Sequence, residues 1–155
     1  MTNTALFATM IQKYNEVAYT HSYIFGFPFK GNVYMVFATS EDLPFILKLD
    51  KASRGAGYCL RFKPDMEQKT FLLAKGAEVL CSEKFFEEEF SACKYNRGEV
   101  FEKLVTEHFG QTWVKDTVPF WKDGDLTVYG EAFQIKYNKA NFTNEKQLAN
   151  LAKRG

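Results

Sequence analysis

The residues with the most chemical content lie close together in GDLTVYGEAFQIKYN, residues 124–138. Asp125 offers a carboxylate, Gln134 an amide oxygen and Lys136 an ammonium. Gly130-Glu131 suits a two-residue hairpin turn with glycine at the first central position. Counting outward from that turn, Tyr129 faces Ala132, Val128 faces Phe133, Thr127 faces Gln134, Leu126 faces Ile135 and Asp125 faces Lys136. Side chains alternate between the faces of a strand. Leu126, Val128, Phe133 and Ile135 therefore share an apolar core face, and Asp125, Thr127, Gln134 and Lys136 share a polar one. A hard divalent cation such as Mg²⁺ takes oxygen ligands and keeps several waters. Asp125 would be its charged ligand, with the Gln134 side chain or the Ile135 backbone carbonyl beside it. Lys136 would orient a water or stabilise charge developing on a phosphate. The plainer alternative is a surface hairpin whose Asp125–Lys136 ion pair is worth roughly a few tenths of a kcal/mol.

The elements around this segment give it a wider context. A helix, GEVFEKLVTEHFG, comes first; then WVKDT, read as part of a strand Trp113–Val118; then Gly124-Asp125 and Gln134-Ile135-Lys136. This ordered set resembles the active-site core of the PD-(D/E)XK nuclease superfamily, in a Gln-x-Lys variant. It is most similar to Mrr-type restriction nucleases and related phage or mobile-element nucleases. The resemblance covers about residues 96–155. It implies a restriction-endonuclease-like α-β-β-β-α core with a central mixed sheet, and a DNA endonuclease using Mg²⁺, for which Mn²⁺ substitutes. It also implies catalytic roles for Glu102, Asp125, Gln134 and Lys136, with metal ligands drawn from Glu102, Asp125, Gln134 and the Ile135 carbonyl. Glu102 is favoured over Glu99 because the family's helical Glu follows a Phe. Glu99 is the fallback, or a capping charge at the helix start. Homodimers are common among members of this size, so a dimer is a further expectation. Two positions depart from the family pattern. Gly124 replaces a proline, which the turn tolerates. Gln134 replaces a carboxylate, leaving the site one charge short. That shortfall keeps a second reading open: a non-catalytic nuclease-fold module that binds DNA or a protein partner, such as a phage-type inhibitor or an assembly factor.

Charge gives local support. The chain is nearly neutral, with 20 Lys plus Arg against 19 Asp plus Glu, so no global field draws it to nucleic acid or membrane. From Lys136 onward, however, Lys136, Lys139, Lys146, Lys153 and Arg154 face only Glu145. Lys139, Lys146, Lys153 and Arg154 are candidate DNA-backbone contacts. The stretch Lys48–Lys75 is also basic, and 82–107 is acidic. The two histidines, His21 and His108, are far apart in sequence and form no zinc pattern. Cys59, Cys81 and Cys93 show no metal-ligand spacing and read as unpaired thiols in a reducing compartment. No leader peptide or long apolar span is recognisable, so the expected setting is the cytoplasm. Aromatic residues are dense at 17%, enough to fill a core and leave some for other contacts.

The remaining elements follow from periodicity and punctuation. Helical spacing of Leu6, Met10, Tyr14 and Val17 predicts a helix over 4–18. Gly26, Pro28 and Gly31 make HSYIFGFPFKGN a loop or edge segment. Strands are expected at Val33–Thr39, Pro44–Leu49 and Gly57–Lys63, with a turn at 53–57. Helices are expected at 65–76, at 82–93 with Ser82 as N-cap, and at 98–109 before the stop at Gly110. A last helix is expected over 144–154. At 155 residues this makes one α/β or α+β domain, with residues 1–95 an extension of unassigned role before the 96–155 core.

Overall fold

A computed structural model of the chain describes residues 22–39, 41–51, 58–114 and 126–141. Two hairpins and a long crossover build its main sheet. Strand β1 (Ser22–Phe29) turns back through Lys30-Gly31 into β2 (Asn32–Ala38). Both turn residues have left-handed backbones, φ 46° and 84°, the pattern of a tight type I′ hairpin. Strand β7 (Glu131–Tyr137) lies parallel to β1 on its other side, with β6 (Leu126–Val128) antiparallel at the edge. Strand β5 (Glu78–Ser82) closes the opposite edge against β2, with a bulge between Val33 and Tyr34. The five-stranded order is β5-β2-β1-β7-β6, a mixed sheet. A second, antiparallel sheet joins β3 (Lys48–Lys51), β4 (Tyr58–Phe62) and β8 (Ala140–Asn141).

Within the segment expected to be a loop or edge, HSYIFGFPFKGN, residues Ser22–Phe29 thus form the central strand of the main sheet. The residues that seemed to break it are each accommodated for a local reason. A Cβ at Gly26 would sit 2.2 Å from the Phe101 ring, so only glycine admits that ring against the strand. Pro28 lies past Gly26, the last β1 residue paired with β7. The hairpin-closing pair Phe29–Asn32 exchanges the main-chain bonds with β2, so the nitrogen of Pro28 points away from that ladder. Gly31 is the turn itself.

Alternation along β1 divides the core. Tyr23, Phe25 and Phe27 face one side, where Val36 and Ala38 join Leu60 and Phe62 of β4 and Leu72 of α2 (Met66–Ala74). Ile24 faces the other, with Val33, Met35, Phe133 and Ile135, beneath Phe86 of α3 (Glu83–Ser91) and Val100, Phe101 and Val105 of α4 (Arg97–His108). The sheet is therefore covered on both faces, the layered arrangement of an α+β domain.

The three main helices start where side-chain caps permit. Asp65 caps α2 in a reciprocal box with Gln68, Ser82 accepts the Phe85 N–H at 3.0 Å, and Asn96 forms a second box with Glu99. Expectation and structure differ at Pro44–Leu49. There a short helix, α1 (Leu43–Ile46), precedes β3. Asp42 holds the Thr39 N–H at 2.8 Å and its carbonyl accepts the Phe45 N–H, which winds the chain, and Pro44 falls in the first turn where no amide hydrogen is needed. Trp113 and Val114 are in no strand, and β5 and β8 were not anticipated. The helices expected at 4–18 and 144–154, the turn at 53–57 and the rest of the expected strand at 115–118 lie outside the described residues. Among the described residues, no helix is long and apolar enough to cross a membrane.

Candidate active site

The β6–β7 hairpin turns at Tyr129-Gly130, not Gly130-Glu131. Tyr129 takes φ 51° and Gly130 φ 81°. Val128 therefore faces Glu131, Thr127 faces Ala132 and Leu126 faces Phe133, in place of the expected partners. The slip is an even number of residues, so each side chain keeps its face. Leu126, Val128, Phe133 and Ile135 are buried together, as the alternation required, and Thr127 is exposed.

The opposite face of β7 is not uniformly wet. Gln134 pairs in register with Tyr23 of β1 and is buried to 6% exposure, whereas Lys136, beside Phe25, is half-buried. Among the described residues the β6 ladder ends at Phe133, so from Gln134 onward β7 has β1 as its strand neighbour. A cleft of about 650 Å³ opens at this end of β7.

Two walls line it. One is the start of α4: Asn96, Arg97, Gly98, Glu99 and, one turn in, Glu102. The other is β7 and the turn after it: Ile135, Lys136, Tyr137, Asn138, Lys139 and Ala140. Glu102 and Lys136, the helix acid and strand lysine expected from sequence, thus line one cleft, with Ile135 beside Lys136 on the strand wall. Gln134, although next to Ile135, is not among the lining residues. Asp125, Lys146, Lys153 and Arg154 lie outside the described residues.

Local contacts define what the cleft residues can do. Glu99 is committed to its cap: its carboxylate accepts the Asn96 N–H at 3.3 Å, and its own N–H donates to Asn96 Oδ1 at 2.8 Å. Glu102 has no such task in the cap. Arg97 donates from Nε and Nη2 to the two Glu87 oxygens at 3.2 and 3.0 Å and lies 4.1 Å from the centre of the Phe90 ring. This bidentate grip holds its charge even more firmly than usual. Tyr137 stacks between Phe86 and Phe101, at centroid distances of 5.1 and 5.0 Å. Burial, followed by the nearby Glu83 and Glu87 carboxylates, pushes its hydroxyl up to about 12. It is therefore a neutral, protonated group throughout the physiological range.

The basic stretch Lys48–Lys75 is partly neutralised. Lys48 pairs with Asp65 at 2.7 Å and Lys75 with Asp42 at 2.9 Å. Within the acidic stretch, Glu87 is matched by Arg97 and Glu107 by Lys103. Cys81 and Cys93 are free thiols, and burial followed by the Glu89 charge pushes the Cys81 thiol up, away from nucleophilic use.

Glu102 lines the cleft and carries a carboxylate, an oxygen ligand of the kind Mg²⁺ takes. Among the described residues no group of three His, Cys, Asp or Glu side chains gathers, and the expected set includes Asp125, which is not among them. Sequence reasoning missed Asn96, Tyr137 and Asn138. Asn96 was findable, because Asn-x-x-Glu before an apolar run is a capping-box signature. No family model, curated protein or solved structure matches the chain.

Proposed function

We propose that the chain is a Mg²⁺-dependent endonuclease acting on DNA phosphodiesters. The observation that carries this reading is the joint lining of one cleft by Glu102 and Lys136, which come from separate elements and are the two described charged members of the nuclease-like pattern. Glu102, with Asp125 and the Ile135 carbonyl, would hold the metal, and Gln134 would brace the strand from its buried side. The bound ion supplies charge neutralisation at the phosphate and a more acidic water. Lys136 stabilises negative charge on the phosphoryl oxygens as water adds to phosphorus and the bond to the leaving sugar oxygen breaks. Positioning and electrostatics do most of such chemistry. The same reading pairs two copies to cut both strands and sets the protein in the cytoplasm.

One observation favours a second reading, a nuclease-fold module that binds without cutting. Gln134 is an amide where the pattern has a carboxylate, and it is buried away from the cleft lining. Plasmid cleavage with Mg²⁺ and with Mn²⁺ separates the two. The enzyme reading expects nicking by the wild type and none by Asp125→Ala, with calorimetric binding of Mn²⁺ lost in the same variant. A wild type inert with both metals, and binding neither, leaves the binding module.

A further inference from the structure

The chain changes sheets at the rim of the cleft. It leaves the five-stranded sheet at Tyr137 and enters the three-stranded sheet at Ala140, which pairs with Phe62. Only Asn138 and Lys139 span the step. Asn138 adopts a left-handed backbone, φ 46°, which asparagine tolerates better than most residues, and its N–H donates to the Gly26 carbonyl at 2.8 Å. Lys139 is therefore held at both ends by main-chain bonding while its side chain is exposed on the rim. Its pairing also differs from that of Arg97. Arg97 is taken up by Glu87, whereas Lys139 makes no ion pair among the described residues. The opposite rim is the start of α4, where the Glu99 carboxylate accepts the Asn96 N–H of the cap.

We propose that Lys139 is a positioning residue that grips the phosphate next to the one being cut, so that the site favours a chain of phosphodiesters over an isolated one. This rests on the nuclease reading. A polynucleotide entering the cleft necessarily brings a second phosphate beside the reacting one. A cation fixed at its backbone, with no ion pair among the described residues, meets that phosphate with little ordering cost. Lys136 acts on the reacting group; Lys139 acts on its neighbour.

The test uses the full chain, a labelled DNA duplex and bis(p-nitrophenyl) phosphate, a diester with a single phosphorus. Lys139→Ala, Lys139→Arg and Lys84→Ala are compared, the last replacing an exposed lysine outside the cleft lining. Circular dichroism melts should coincide for all. With the duplex and Mn²⁺, Lys139→Ala should raise KM about three- to tenfold with kcat unchanged, and the slope of log affinity against log salt should fall by about one, the loss of a single phosphate contact. Arginine should restore both; Lys84→Ala should change neither. Hydrolysis of the small diester should be unaffected. An unchanged KM and salt slope in Lys139→Ala overturns the proposal while leaving the nuclease reading intact. An equal loss on the small diester overturns it too, by moving Lys139 into the chemistry. A wild type inert on both substrates removes the nuclease reading and this inference with it.

Discussion

Strands β1 and β7 lie side by side and parallel, Ser22–Gly26 matched to Phe133–Tyr137, yet they are used differently. From Tyr23 to Phe27 every β1 residue is buried, with ladders on both sides along Tyr23–Gly26. Strand β7 is buried from Phe133 to Ile135 and half-exposed at Lys136 and Tyr137. The polar side chain of Lys136 appears at the cleft end of β7, and the adjacent apolar strand positions it. A site residue on such a strand is positioned by a partner that contributes no chemistry of its own.

Two mutations at one rung should separate these roles. Phe25 and Lys136 are register partners. Phe25 is fully buried, 4.6 Å from the Phe62 ring, so Phe25→Ala should lose about 3–5 kcal/mol in urea unfolding. Lys136→Ala should melt near the wild type but cleave DNA at least about a hundredfold more slowly, because the lost group acts on transition-state charge. If both variants merely unfold, the division between frame and site is wrong. One residue along, Gly26→Ala should cost about 1–3 kcal/mol, since its new methyl meets the Phe101 ring. Adding Phe101→Leu should recover part of that loss, a non-additivity expected only if the contact is the cause.

The smallest effect is a pH dependence. Tyr137 titrates near 12 in the fold against an ordinary 10.0, so between those values the folded chain keeps a proton that the unfolded chain has released. Its contribution is complete below pH 10 and is lost as pH rises toward 12. Alkaline melts of Tyr137→Phe should fall less steeply over that window. Parallel wild-type and variant curves would place the hydroxyl in solvent.

Legibility in the sequence followed how local each cause was. Helices α2, α3 and α4 were readable because caps and apolar spacing lie within a few residues of one another, as with Ser82 before Phe85 and Phe86. The faces of the hairpin were readable from strict alternation. Its register was not, because Tyr129 adopts a left-handed backbone that composition assigns to glycine. Strand β1 was hidden for a nonlocal reason: Gly26 answers to Phe101, far along the chain, and looks like a breaker to any window that excludes its partner. In the site, Glu102 and Lys136 were singled out by the family resemblance and line one cleft, whereas the burial of Gln134 goes with its place opposite Tyr23 on the neighbouring strand, which no local window contains.

The parallel pairing of β1 with β7 also sets a timetable. Ser22 donates from its hydroxyl to Glu131 across a separation of 109 residues. At about 5–20 residues per second, a ribosome needs on the order of ten seconds to make the intervening chain. For that interval a strand buried from Tyr23 to Phe27 in the finished fold is out of the exit tunnel with the side meant for β7 uncovered. Such a strand edge pairs readily with other chains. The nascent protein should therefore lean on chaperones early, fold slowly for its size because its central closure is so nonlocal, and aggregate when overproduced faster than β7 can arrive.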